Sequence, residues 1–315
     1  MSSTENSTDY IPFDAEDLEE EQQSDTDRYI AVSIILVVGV CGLIADTSAI
    51  RVVWKSKNLH NCFGYLLLLH ASAEAIVLCC FVFWAVPITL FNRSLSKSIL
   101  GIKVGQLVNI FYYTTLYVQL SKAINRFCAI FSPLVYRRWF SNENVKFIIL
   151  AVMICSLMNG SLYFFPGCNF YFDGDYFTWT YDETPCYEMM AFYTDLLMGC
   201  SIVSITILID ISTLCLIIRS KVLKGRNNKD VRFFIQAFAT SILYTIMLII
   251  SQALYTLSDN KWYVFGTVTF TWEMCHTIDG ILMIFFNLRK QKTPPVTIEA
   301  ISKIDAHTRL FTRVG

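Results

Sequence analysis

Four ionisable side chains, Asp46, Glu74, His276 and Asp279, interrupt stretches of the chain that are otherwise apolar. A charge surrounded by hydrocarbon is costly to desolvate, so such groups should face a protein interior and share protons, sodium or water there. They lie about seven to twelve residues from the basic ends of their stretches, which at 1.5 Å per residue gives comparable depths of roughly 10 to 18 Å. They can therefore meet. One reading is a polar network whose rearrangement separates two packings of the molecule, and the other is a static hydrogen-bonded network of protonated acids. A fifth group, Arg126, follows Asn125 and precedes Phe127 near the end of another apolar stretch. At that depth an arginine can hydrogen-bond across a bundle, or simply snorkel as a basic anchor.

The elements that position these groups must be membrane helices. The chain has 54% hydrophobic and 16% charged residues, more apolar surface than one soluble core of 315 residues can hide. A bilayer core of about 30 Å takes about 20 residues of helix, and seven stretches fit: 30–53, 62–90, 99–126, 145–165, 187–218, 233–257 and 263–286. Each is expected to be helical, since no alternating barrel pattern is present to satisfy the backbone in lipid. Of the 25 lysines and arginines, 20 fall on one side of this arrangement, including Arg219, Lys221, Lys224, Arg226, Lys229 and Arg232 in one short connection. That side is expected to be cytosolic, which leaves the N-terminus outside. The acidic segment 1–29 then reads as a disordered extracellular tail, 30–286 as the membrane domain and 287–315 as a cytosolic tail. Sequons at Asn6 and Asn92 fall on the exterior and are candidate glycosylation sites. A third, at Asn159, lies within the fourth span and should stay unmodified.

The charge balance and the motifs exclude several classes. A formal net charge of -1 argues against nucleic acid as a partner. No nucleophile with an evident base and no Cys/His metal spacing emerges, so neither enzymatic activity nor a cofactor or metal is expected. Retinal is disfavoured because the seventh span has no lysine for a Schiff base. Of the eleven cysteines, Cys168 and Cys186 share an outside loop, flanking an aromatic stretch over 169–185. An oxidising exterior favours their pairing, with a stabilisation of about 3 kcal/mol, against the alternative of two free thiols. The loop should lie over the mouth of the bundle.

The segment Asn125-Arg126-Phe127-Cys128-Ala129-Ile130, continued by Phe131-Ser132-Pro133-Leu134-Val135-Tyr136, resembles the Asp-Arg-Tyr region of rhodopsin-like receptors. Asn125 stands in place of the acid and Phe127 in place of the tyrosine. The departure removes the ion partner that would restrain Arg126, which leaves either higher basal activity or a different lock. The resemblance covers the whole membrane region and narrows to the nematode serpentine chemoreceptors of class X. It is carried by Phe63-Gly64-Tyr65, Phe83-Trp84-Ala85-Val86-Pro87, Pro166-Gly167-Cys168 with Thr184-Pro185-Cys186, and Trp272-Glu273-Met274-Cys275-His276.

That resemblance implies an all-α membrane protein, a seven-transmembrane helix bundle of the rhodopsin-like receptor type. It implies a G-protein-coupled chemosensory receptor in the plasma membrane, in sensory neuron cilia, that binds an extracellular small-molecule or peptide ligand and couples to a heterotrimeric G protein. It also implies that Asp46, Glu74 and Asp279 occupy positions of a polar, often sodium-binding, switch core. Departures remain: the sixth span has no proline, and Asp279-Gly280-Ile281-Leu282-Met283 stands where Asn-Pro-x-x-Tyr is usual. No cysteine opens the third span, so a bridge within the outer loop would replace the usual one. Trp84, Asn109, Tyr112, Trp272 and Glu273 lie in the outer halves of their spans and are candidate ligand contacts, an ionised Glu273 suiting a cationic ligand. The competing reading is an ion- or proton-conducting channel or transporter built on the buried acids, although no inverted repeat or pair of broken helices is evident.

Overall fold

The computed structural model describes residues 15–219 and 228–288, and among them the chain forms seven long helices joined by short connections. Helix α1 (Ala15–Lys55) begins well before the expected start at Ile30, so the segment placed in a disordered tail is helical from Ala15 onward. Helix α2 (Cys62–Phe91) starts at Asn61, whose side-chain oxygen accepts from the Gly64 N–H at 3.0 Å. It contains a π-helical turn at Phe81–Ala85. The cause is local, because Pro87 offers no N–H to the Phe83 carbonyl and its ring crowds that carbonyl, so the helix widens there.

Helix α3 (Ile99–Phe131) is capped by the Ser98 hydroxyl, which accepts from the Gly101 N–H at 3.1 Å, and it ends where Pro133 opens a short helix, Pro133–Trp139. Helix α4 (Val145–Ser161) leads into the loop that carries the bridged cysteines. Helix α5 (Met190–Arg219) opens with a π segment, Met190–Met198. Helix α6 (Asn228–Leu248) passes into a π turn at Ile249–Leu254. The seventh helix begins at Lys261–Val264, continues as a π segment over Phe265–Phe270, and is completed by α7 (Thr271–Leu288).

Five of the seven, α1, α2, α4, α5 and α6, are long and apolar enough by length and composition to cross a membrane. The third and seventh fall short because they carry most of the polar load. On α3 the buried side chains include Gln106, Asn109, Gln119, Lys122, Asn125 and Arg126, and on α7 Glu273, His276 and Asp279. These polar groups face protein rather than lipid. The outer surface carries the complement, with Val37, Ile44, Phe83, Leu208 and Phe285 all more than half exposed. Such a distribution suits a solvent of hydrocarbon, in which polar residues must turn inward.

The aromatic loop forms a two-stranded antiparallel hairpin, β1 (Phe170–Asp173) and β2 (Thr178–Tyr181), with Phe170 opposite Tyr181 and Asp173 opposite Thr178. A disulfide joins Cys168 to Cys186, with Cα atoms 5.3 Å apart, and closes the loop at its base. The hairpin lies across one end of the bundle. On one side the Phe170 carbonyl rests against Gly105 of α3, where any side chain would overlap it. On the other side the Thr269 hydroxyl donates to the Phe177 carbonyl at 2.7 Å.

That close approach makes Gly105 a packing requirement. Gly105→Ala is expected to cost more than about 1 kcal/mol, through overpacking against backbone that cannot yield. It should lower the melting temperature of the solubilised protein by several degrees. Gly266→Ala, whose new methyl meets nothing within 4 Å in a helical segment, is the control and should leave it unchanged or slightly raised.

Candidate functional site

Three groups of buried polar side chains run along the axis of the bundle. At the end remote from the hairpin, the Arg126 guanidinium of α3 is ion-paired with the Asp210 carboxylate of α5, both buried. The Ser241 hydroxyl of α6 donates to the second Asp210 oxygen at 2.7 Å, and Gln119 of α3 donates to the Ser241 oxygen at 2.8 Å. Three helices are thereby laced through one carboxylate. Of the two alternatives left by the missing acid beside Arg126, the structure contains a different ion partner, Asp210. Asn125 is buried and its amide nitrogen has no partner among the described residues. Phe127 is turned away from the pair and stacks on Phe131, with ring centroids 5.3 Å apart.

One level toward the hairpin, Glu74 of α2 is the hub of a second cluster. Its Oε1 accepts from the Tyr244 hydroxyl at 3.1 Å and lies 3.4 Å from His276 Nδ1 and from His70 Nε2. His70 Nε2 lies 3.0 Å from an oxygen of Asp279, whose other oxygen accepts from the Thr240 hydroxyl. The expected meeting of Glu74, His276 and Asp279 thus occurs. Asp46 reaches the same level but is not hydrogen-bonded to the cluster: both its oxygens lack a partner among the described residues, and Oδ1 sits against Gly280, where a side chain would overlap it.

Among the ionisable groups of these clusters and of the helix interiors beside them, the sequence reading missed His70, Lys122, Asp195 and Asp210. His70 and Lys122 each stand one helical turn before a recognised group, Glu74 and Arg126. Asp210 interrupts Leu208-Ile209-Asp210-Ile211, the same signal that singled out Asp46. His70, Glu74 and Asp279 also bring possible ligand atoms within 4.8 Å of one another, a donor set suited to a cation. No sequence spacing could reveal it, because α2 and α7 supply its parts.

Beneath the hairpin lies a cavity of about 170 Å³. Asn109 and Tyr112 of α3, Trp272 of α7, Asp195 of α5 and Trp179 and Tyr181 of the hairpin contribute to its walls. The π segments of α5, α6 and the seventh helix supply Ala191, Ser251, Gln252 and Val268. Asp195 accepts hydroxyls from Tyr113 at 3.1 Å, from Tyr163 at 2.8 Å and from Tyr181. Burial, together with that carboxylate, pushes the Tyr181 phenol well above its ordinary value, so it remains a donor at neutral pH.

Three of the expected ligand contacts, Asn109, Tyr112 and Trp272, reach this cavity, and two do not. Successive residues on a helix point about 100° apart, so with Trp272 facing the cavity Glu273 is carried toward α1, where its carboxyl lies against Gly39. Trp84 sits in the π turn of α2, packed on the edge of the core, while Phe81 faces the Trp179 and Trp272 rings edge-on. Glu273, whose carboxylate would suit a cationic ligand, is thus placed away from the walls of this cavity. Asn92 is exposed at the end of α2, whereas Asn6 and the basic residues 221–226 lie outside the described residues. Asn159 is buried in α4 and donates to the Tyr117 hydroxyl at 2.6 Å.

The family model for the serpentine type 7TM GPCR chemoreceptor Srx matches residues 36–287. Serpentine receptor class X 45 of Caenorhabditis elegans is 22% identical over 283 residues, which cover 82% of this chain and 78% of that protein. Serpentine receptor class X-43 of the same organism is 26% identical over 206 residues, covering 59% of this chain and 63% of that one. Among solved structures, squid rhodopsin superposes with a TM-score of 0.68 at 13% identity, over 86% of each chain. That likeness concerns the fold.

Glu74 and Asp279 share His70, so their contributions should not be independent. In a double-mutant cycle of Glu74→Gln and Asp279→Asn, read by thermal stability of the solubilised protein, the coupling is expected to exceed about 0.5 kcal/mol. Strictly additive losses would contradict the shared network.

Proposed function

This chain belongs to the Srx family of seven-helix serpentine chemoreceptors, and from that membership we propose that it binds a ligand in the hairpin-covered cavity and activates a heterotrimeric G protein at the opposite end. The family and the fold are those of G-protein-coupled receptors, not of enzymes, and the chain is a multi-pass membrane protein. The hairpin end and the N-terminus face outward from the plasma membrane of a sensory neuron, and the Arg126 end faces the cytosol, as the placement of basic residues supports.

The observation that carries this reading is the Arg126 to Asp210 ion pair, which ties α3 to α5 and, through Ser241, to α6. A groove for an amphipathic helix of a G protein would open where these three helices part. A buried ion pair that loses one partner leaves an uncompensated charge, so the paired packing is held against that opening. A continuous set of contacts leads there from the cavity. The Tyr112 and Trp272 rings lie 5.3 Å apart, Trp272 lies 6.4 Å from His276, His276 meets Tyr244 and Glu74, and Asp279 meets Thr240 of α6. A ligand acts by binding one of two packings better than the other.

Basal signalling tests this without a known ligand. Asp210→Asn, expressed with a G-protein reporter, is expected to raise basal nucleotide exchange at least about fivefold, the lower end of ordinary coupling energies. Arg126→Ala should abolish exchange while surface delivery stays normal. A silent Asp210→Asn variant at normal surface density would overturn the proposal. The orientation has its own check: a tag before Ala15 should bind antibody on intact cells, and one after Leu288 only after permeabilisation.

A further inference from the structure

Outside the bundle core, α3, α4 and the short helix Pro133–Trp139 enclose a furrow on the lipid-facing side of the protein. It consists of two adjoining hollows, of about 530 and 330 Å³, that share Ser121, Ile124, Trp139 and Ile148 as walls. Along α3 the furrow reaches from Cys128 to Tyr117, and along α4 from Asn144 to Cys155. At 1.5 Å per residue each length is about 16 Å, half of a hydrocarbon core of about 30 Å. The furrow is therefore one leaflet deep.

Its length is apolar, and the polar atoms along it are met. The Ser121 hydroxyl donates to the Tyr117 carbonyl at 2.8 Å, and the Tyr117 hydroxyl accepts from the Asn159 amide at 2.6 Å. A run of methylenes needs no partner there, whereas a molecule with polar groups along its body would lose its hydrogen bonds on entering. The mouth is basic. Arg137 and Arg138 lie in the last turn of the short helix, next to the wall residue Trp139, and Lys146 lies in the first turn of α4 with its ammonium 5.1 Å from the centre of the Phe147 ring, another wall. The Asn144 amide donates to the Arg138 carbonyl at 2.7 Å and so ties these two basic turns together. All three cations are exposed and have no ion partner among the described residues, and Glu143 is the one acid in the segment 132–161. Trp139 and Phe147, both more than half exposed, border the same mouth, as aromatic side chains do at the level of lipid headgroups.

We infer that the furrow seats one acyl chain of an anionic phospholipid, whose headgroup phosphate is held by Arg137, Arg138 and Lys146. Any acyl chain fits the walls; the charges select the headgroup. The inference rests on the proposed orientation only in assigning that leaflet to the cytosol.

Native mass spectrometry of the purified full chain, released from micelles holding equal amounts of dioleoyl phosphatidylserine and dioleoyl phosphatidylcholine, tests this without reference to sidedness. The first lipid retained should be phosphatidylserine at least about fivefold more often, the preference that one basic side chain near an anionic surface supplies. Arg137→Gln, Arg138→Gln and Lys146→Gln together should abolish the preference. The same number of exposed charges removed from the end of α1, as Arg51→Gln, Lys55→Gln and Lys57→Gln, should leave it intact. Ala151→Phe places a ring in the furrow from an exposed position of α4, and Ile124→Trp does so from α3. Each should reduce the preference severalfold with every basic residue present, while the melting temperature stays unchanged. Equal retention of the two lipids, a preference that survives either the mouth substitutions or both furrow-filling ones, or an equal loss in the α1 variant would each overturn the inference. Basal exchange in Asp210→Asn is untouched by any of these outcomes, so the two proposals fail separately.

Discussion

Hydrocarbon cannot solvate a carboxylate or a guanidinium, and this exclusion fixes how the helices are turned about their own axes. Glu74, Arg126, Asp210 and Asp279 each sit on a helix whose opposite face carries exposed apolar side chains. Only one rotation of each helix hides the first set and wets the second with lipid. Once hidden, the charges need one another, because an unpaired one inside protein costs several kcal/mol. The ion pair of Arg126 with Asp210 and the hydrogen-bond contacts of Glu74 with Tyr244 and His276 therefore specify which helices are neighbours as well as holding them together.

The hairpin end obeys a different rule, because aromatic packing dominates there. Phe170 stacks on Trp179, and the Tyr163 and Tyr181 rings stack with centroids 6.0 Å apart before their hydroxyls converge on Asp195. A disulfide inside the loop, rather than one reaching α3, fixes the base of the hairpin. The backbone contact at Gly105 does the anchoring to α3 that a covalent link would otherwise supply.

Much of this was legible in the sequence. The apolar lengths gave the helices, the interrupting charges gave Asp46, Glu74, His276 and Asp279 as inward-facing, and Cys168 and Cys186 could be paired by their location. The same logic would have found Asp210, had it been applied to every apolar stretch. Other features had no local signal. Partners such as His70 and Asp279 are separated by more than two hundred residues, and periodicity states depth but not neighbour. Glu273 illustrates the limit most plainly: depth placed it beside Trp272, whereas the 100° step between adjacent residues turned it to another helix.

Although the sixth span has no proline, a π turn occupies Ile249–Leu254, and further π segments occur in α2, α5 and before α7, all in the half nearest the cavity. Each holds one residue more than an α-turn would. Passing that surplus residue along the helix would swing every side chain in its path by about 100° while the helix stays unbroken and its backbone groups stay bonded. The cavity wall thus draws on three segments, in α5, α6 and the seventh helix, whose surplus residue sets which side chains they present, whereas Arg126 and Asp210 stand in regular α-helix beneath.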